Sequence, residues 1–301
     1  MVLLMGSIQL GLLYGVMALG VYITFRILKL PDLTVDGSFS LGMACSAVVT
    51  ASGHPFLALL IAMAAGALAG YTTGLLQTKL NLHPILAGIL VMTSLYTVNL
   101  GIMGGRANQS VIGHPTIFTA VEGAFPATLD MGRTSLALGI CCLMFVILAV
   151  VLKTRFGLAI RATGDNEDMV KASSVNADSY KCFGLSMGNA CVALSGALIC
   201  QYQMFSDVSS GSGMVVIGLA SVIIGETLFG KRSVSAGLAS AAAGSILYRI
   251  ILAVALKLEL FPSYALKLIS SLIVVAALSG PTIKSLRAQN KIRREVKDHL
   301  G

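Results

Sequence analysis

Long apolar runs recur along the whole chain, separated by short polar connections, and this rhythm limits the possible folds more than any other feature. About nine such segments are read at 5–25, 37–52, 56–77, 84–104, 134–152, 182–204, 214–229, 233–256 and 263–283. Most approach or exceed the ~18–20 apolar residues that cross a bilayer. Backbone polar groups in lipid must bond internally, so the runs are expected to be helices. Barrel strands would alternate apolar and polar residues, and these runs do not. Of 301 residues, 56% are hydrophobic and 11% charged, against roughly 25% charged in soluble domains. That leaves too few charges for a soluble shell. The expected fold class is all-α, a polytopic transmembrane helical bundle of about 8–10 spans with interrupted helices. It fills residues 1–283, and a basic cytoplasmic tail follows at 284–301.

The formal net charge is +8. In a soluble protein this would point to nucleic acid. Here the basic residues sit between apolar runs, so membrane topology accounts for them and no nucleic-acid partner is expected. With the 153–181 connection in the cytoplasm, sixteen of the twenty-one Lys and Arg residues fall on that side. They include Arg26, Lys29, Lys79, Lys231 and Arg232. Arg106, Arg133 and Lys257 stay outside, and Arg249 and Lys267 lie within apolar segments. The expected arrangement is N-terminus out and C-terminus in. The external 105–133 connection has room for a short surface helix. The N-terminus lacks the positive region of a cleavable signal. The six cysteines show no metal or disulfide spacing and read as packing residues.

Two segments, the second and seventh, are short and are preceded by Pro-, Gly-, Ser- and Asp-rich stretches. These stretches are Leu30–Ser38 and Ser206–Gly213. Interrupted helices are where transporters place binding groups. Asp36 therefore has two readings: it lines a substrate pathway, or it caps the helix beginning near Ser38. Asn99 and Gln201 are further polar candidates for the pathway. Asp32 and Glu226 read as interfacial residues beside Lys29 and Lys231, and Arg249 is an ionisable group inside the eighth segment. Gly66, Gly70 and Gly74 lie four apart, as do Gly11 with Gly15 and Gly184 with Gly188, a spacing that lets helices approach closely. Lys79–Pro84 resembles Lys257–Pro262, and the topology puts the two copies on opposite membrane faces, as in inverted repeats. Gly225–Arg232 nearly fits a phosphate-binding loop but fails at Arg232 and follows a lipid-embedded run. No catalytic cluster is evident, so the chain is not expected to be an enzyme or to bind a cofactor of its own.

The connection at 154–180 is too polar to cross a membrane. Its pattern predicts short helices broken by Gly164 and closed near Asn176, a compact surface suited to docking a soluble subunit. Here the chain resembles the permease subunits of branched-chain amino acid ABC importers. Their "FGRALRAxGxNxxAAxxxGIN" pattern is matched by Phe156, Gly157, Ala159, Arg161, Ala162, Gly164, Asn166 and Asn176, with Ile160 and Val175 as close replacements. Leu194–Leu198 is similar to the family's "LAGLAGAL", and Gly11–Gly20 to its opening helix. Leu30–Phe39 resembles the tryptophan/tyrosine-type subgroup.

The resemblance implies a type II importer permease fold and a homodimer in a bacterial inner membrane. It also implies a cytoplasmic ABC ATPase subunit that hydrolyses ATP and an extracytoplasmic solute-binding protein. Arg161, Gly164, Asn166, Glu167, Val175 and Asn176 would then couple to the ATPase. The chain departs from the family at Leu158 (usually Arg), at Ser174 (usually Gly), and at Met169 and Val170 (usually paired Ala), changes that bear on contact with a particular ATPase. The leading expectation is an ATP-driven permease for a small solute, an amino acid. An ion- or proton-coupled secondary transporter with Asp36 or Glu226 as the titrating site is the alternative, and a membrane enzyme is a third reading.

Overall fold

The structure is a computed structural model that describes residues 2–124, 129–230 and 233–257, together with 271, 272 and 275. The first helix, α1 (Val2–Val21), continues as a π-helical turn over Tyr22–Ile27. It is followed by α2 (Thr34–Ala51), α3 (Pro55–Lys79), α4 (Pro84–Ile102), strand β1 (Asn108–Ser110), α5 (Ile117–Ala124) and α6 (Leu129–Val151). Then come α7 (Arg155–Asp165), α8 (Glu167–Ala172), α9 (Ala177–Gln203), β2 (Phe205–Asp207), a 3-10 turn at Val208–Gly211, α10 (Met214–Phe229) and α11 (Val234–Lys257).

Seven of the described helices are long and apolar enough to cross a membrane. They correspond to seven of the nine apolar segments. The second segment is α2, which is almost wholly buried among the others. Its Ser, Thr and Gly residues face protein rather than lipid, so it tolerates a polarity that a lipid-facing span does not. The ninth segment lies almost entirely outside the described residues, as do the tail, Lys231 and Arg232 and the Leu258–Pro262 part of the repeat.

The centre of the bundle is α9, which packs on α1, α2 and α3. The glycine stripe does what its spacing predicts: Gly66, Gly70 and Gly74 lie directly on the α9 backbone at Asn189, Leu185 and Cys182. The side chains of α3, α4 and α6 that point outward are large and apolar, including Leu60, Leu68, Leu90, Leu143 and Val146, as a lipid-facing surface requires.

Contacts sort the helix ends onto two faces. Ile27 and Leu28 meet Gly164 and Gly184, so Arg26, Lys29 and the α7–α8 connection share one face. Since α3 runs antiparallel to α9, its end at Lys79 lies there too. Because α11 runs antiparallel to α1, from Gly237 beside Tyr22 past Ile246 beside Gly11, Lys257 lies on the opposite face. The two copies of the repeat thus start on opposite faces. On Lys257's face, the 105–133 connection carries α5, the expected short helix, and also β1. A two-stranded antiparallel sheet, with Gln109 opposite Ser206, joins it to the segment after α9. The all-α expectation holds for the bundle and misses this small ribbon. Three-residue strands have no periodicity to read in the sequence.

Candidate functional site

After Ile27 the chain breaks at Leu28–Leu33 and re-enters the bundle as α2. Gly37 of α2 packs against Met92 and Leu95, near the middle of α4, so the start of α2 lies well inside the bundle. From the other side, α9 ends in left-handed Met204, and the chain returns through β2 and the 3-10 turn to Gly213, also left-handed at φ 88°. There α10 begins. At 1.5 Å per residue, α10 alone is about 24 Å long, less than the ~30 Å hydrocarbon core. Both interrupted stretches flagged in the sequence therefore meet inside the bundle.

Asp36 joins them. Its Oδ2 accepts the Gly213 N–H at 2.9 Å and its Oδ1 accepts the Val215 N–H at 2.8 Å. A carboxylate at a helix N-terminus satisfies donors with no partner inside the helix and complements the helix dipole. Capping is thus half right as an expectation: Asp36 caps a helix, but α10 rather than its own. Its own helix begins at Thr34, four residues before Ser38. Ser40 closes the joint: its Oγ donates to the Val208 carbonyl at 2.9 Å and accepts the Gly211 N–H at 3.0 Å. Gly211 has no room for a side chain, since a Cβ there would strike the Asp36 carbonyl.

Beside this joint a cavity of about 370 Å³ opens between α2, α4 and the 208–212 turn. Asp36 and Asn99, both named from sequence, line it together with Met92, Thr93, Tyr96 and Ser212. Asn99 is buried, and its Oδ1 has no hydrogen-bond partner. Gln201 is placed elsewhere. Its Nε2 donates to the Pro55 carbonyl at 2.9 Å and its Oε1 accepts the Ile117 N–H at 3.1 Å, so it ties α9 to α3 and α5.

Asp32 and Glu226, both read from sequence as interfacial residues, have partners far along the chain; Lys231 lies outside the described residues. Glu226 pairs with Arg26, Oε1 to Nε at 2.7 Å, linking the end of α10 to the π-helical turn. Gly225 within the apparent phosphate loop is helical and lies against the Ser240 backbone. Asp32 is buried and does not reach toward Lys29: it accepts from Asn189 Nδ2 at 2.7 Å and from the Thr34 N–H at 2.9 Å. Lys29 instead bonds Asp165 at 2.8 Å. Arg249 lies over the Tyr14 ring, 3.7 Å from its centroid. Among the described residues no group of three His, Cys, Asp or Glu side chains could hold a metal ion.

The 154–180 connection folds as two short helices, with a correction. Gly164 does not break α7, which runs through it to Asp165. Gly164 instead lets α7 lie on the Ile27 carbonyl and Leu28, the point where α1 ends and the path to α2 begins. The break comes at Asn166, whose Oδ1 caps α8 by accepting the Met169 N–H at 3.0 Å. Asn176 opens α9 rather than closing the connection, accepting the Ser179 N–H at 3.2 Å. Glu167 holds Lys171 at 2.8 Å and Lys181 at 2.7 Å, bracing α8 on α9. Hydrogen bonds from Lys171 and then Lys181 pull the Glu167 carboxyl below its usual range. Bonding to Glu167 likewise raises Lys171. Arg161 is half-buried. Val175 and Asn176 line a surface groove with Phe156, Tyr180 and Phe183. The exposed large apolar groups of α7 and α8 are Phe156, Leu158 and Met169. Leu158 and Met169 are two of the positions at which the chain departs from the family pattern.

Comparison with known proteins decides the family. Residues 3–278 match the model described as branched-chain amino acid transport system, permease component. The chain belongs to this family of ABC-type permeases. It is a multi-pass membrane protein, in bacteria of the inner membrane, and a transport component rather than itself an enzyme. It is 37% identical to the tyrosine transport system permease protein of Clostridioides difficile (strain R20291), over 93% of this chain and 92% of that one. It is 25% identical to the fructose import permease protein FruF of Bifidobacterium longum (strain NCC 2705), over 88% and 74%. To the autoinducer 2 import system permease protein LsrC of Yersinia enterocolitica the identity is 26%, over 74% and 59%. No solved structure matches.

Proposed function

We propose that this permease moves a small solute, an amino acid, through the membrane, driven by a separate cytoplasmic ATPase and supplied by an external binding protein. The observation that carries the reading is the joint at Asp36. There α2 and α10 start inside the bundle and share one carboxylate beside a cavity. Discontinuous helices of this kind surround solute sites in transporters. The similarity to a tyrosine permease favours an aromatic amino acid as the solute. The cavity is open on one side, so a second copy of the chain facing it would complete a pore, with Asp36 and Asn99 on its wall.

The drive enters through α7 and α8, on the face read as cytoplasmic. The ATPase contacts the apolar patch of Phe156, Leu158 and Met169. A push on α7 passes at Gly164 to Ile27 and Leu28 and along the short segment to Asp32 and α2. Arg161, Asn166, Glu167, Val175 and Asn176 keep this connection in shape, by the half-buried packing of Arg161 and Val175, the two Asn caps and the Glu167 ion pairs.

The test is affinity purification of the tagged full-length chain from its native membrane, followed by uptake of radiolabelled L-tyrosine into proteoliposomes. Co-purification of an ATPase, with uptake that needs ATP, is expected. Uptake by the chain alone, without ATPase or ATP, overturns the reading.

A further inference from the structure

We propose that the cavity beside the joint is itself a selectivity station for solutes that carry a protonated amine, with Asp36 as the counter-charge and Asn99 as the second polar contact. The proposal rests on the reading of the chain as a solute permease. It adds that discrimination occurs inside the membrane domain as well as outside it.

Most of the hydroxyls around the cavity are already engaged. Ser40 is committed to Val208 and Gly211. Thr93 returns its hydroxyl to the carbonyls of Ile89 and Leu90 in its own helix. Ser209 is held by Asp207. These hydroxyls are committed within the chain and offer a solute little. Asn99 differs: it lines the cavity at 1% exposure, yet its Oδ1 has no hydrogen-bond partner. A buried amide oxygen left in this state costs free energy, and such groups in native proteins call for an explanation. A donor on a visiting solute supplies one.

Asp36 sets the charge of that solute. Two backbone donors fix its carboxylate in position on the cavity wall, where it brings negative charge. An ammonium group brought to this wall gains a charge-assisted hydrogen bond. A carboxylate alone meets repulsion there, and a neutral polyol finds most of the hydroxyls already engaged. The remaining walls, Met92, Gly37, Val208 and the half-exposed ring of Tyr96, suit an apolar or aromatic side chain. The volume of about 370 Å³ lies at the small end of ligand sites, about 300–1,000 Å³.

The test is ligand-observed NMR on the full-length permease in nanodiscs, with empty nanodiscs subtracted. The probes are L-tyrosine, tyramine, 3-(4-hydroxyphenyl)propionate and fructose. L-Tyrosine and tyramine are expected to bind about tenfold or more tightly than the other two, as a charged hydrogen bond allows. Asp36→Asn should erase that difference, and Asn99→Ala should weaken both amines. If Asp36→Asn does not fold, the wild-type ranking and Asn99→Ala decide. Equal binding of tyramine and the propionate, or an unchanged ranking in a folded Asp36→Asn protein, overturns the proposal. So does the absence of binding by every probe. Since ATP-driven uptake is measured separately in proteoliposomes, loss of the station alone leaves the permease reading standing, whereas loss of uptake removes both.

Discussion

The carboxylate of Asp36 on α2 accepts the backbone N–H of Val215 on α10 at 2.8 Å, across 179 residues of sequence. With the Gly213 N–H on the other oxygen, one side chain fixes where two interrupted helices begin. Asp36→Ala should therefore free the first turn of α10. Losing a helix cap costs about 0.5–2 kcal/mol. A lowered melting temperature in detergent is expected for Asp36→Ala, with a smaller loss for Asp36→Asn, which keeps one acceptor oxygen. Equal melting of wild type and Asp36→Ala would show that the cap is not holding α10.

Gly164 presses α7 against the Ile27 carbonyl. Gly164→Val forces α7 away from that contact, at an overpacking cost of about 1–3 kcal/mol. The chain should still insert, because no apolar span is touched, but ATP-driven uptake should fall by an order of magnitude or more. Lys29→Ala removes only the exposed pair with Asp165, and such pairs are worth about 0–1 kcal/mol. Its uptake should be near normal. Uptake lost in Lys29→Ala and kept in Gly164→Val would reverse the assignment of the contact that transmits motion.

The bundle was legible in the sequence because its signals are local. Run length identified the spans, and glycines four apart marked close helix packing, which the structure places between α3 and α9. What stayed hidden was partnership over distance. Glu226 bonds Arg26 on another helix, a partner that no local pattern indicates. Asp36 had two readings, pathway wall or cap for its own helix, and the donors it caps lie beyond α9. Gly164 reads as a helix breaker by propensity, yet tertiary packing keeps it helical because only glycine fits against Ile27. The site was half visible. The Ser- and Gly-rich stretch before α10 was marked as an interruption, but nothing local connected it to Asp36 or to Asn99.

Ser174 shows how a departure from the family pattern acquires a physical meaning. It sits at φ 59°, a left-handed conformation that favours glycine, and glycine is what the resembling family usually carries there. Ser174→Gly should relieve roughly 1 kcal/mol of backbone strain, partly offset by the added freedom of the unfolded chain. A small rise in melting temperature, or slower proteolysis of the α8–α9 connection, is the expected result. A clear destabilisation would contradict it.

The ion pairs of Glu167 make the α8–α9 connection sensitive to acid. Its carboxyl is held below the usual value, first by Lys171 and then by Lys181. A depressed pKa contributes stability that is present above the unfolded value, about 4.3, and is lost as pH falls through the lower folded value. Amide exchange across residues 166–181, corrected for intrinsic rates, should stay slow from neutral pH to about 5 and quicken below 4. Glu167→Gln should show the faster exchange already at neutral pH. An identical profile in wild type and Glu167→Gln would remove Glu167 from the account.

Under the proposed function, an engine on another chain moves this membrane domain. Proteoliposomes holding the permease with its co-purified ATPase, and with the binding protein outside, allow each energy source to be switched on alone. The account expects L-tyrosine uptake with ATP on the ATPase side and none with a proton or sodium gradient in the absence of ATP. Uptake that follows an ion gradient and ignores ATP, abolished by neutralising Asp36 and Glu226, would contradict it and identify a secondary transporter.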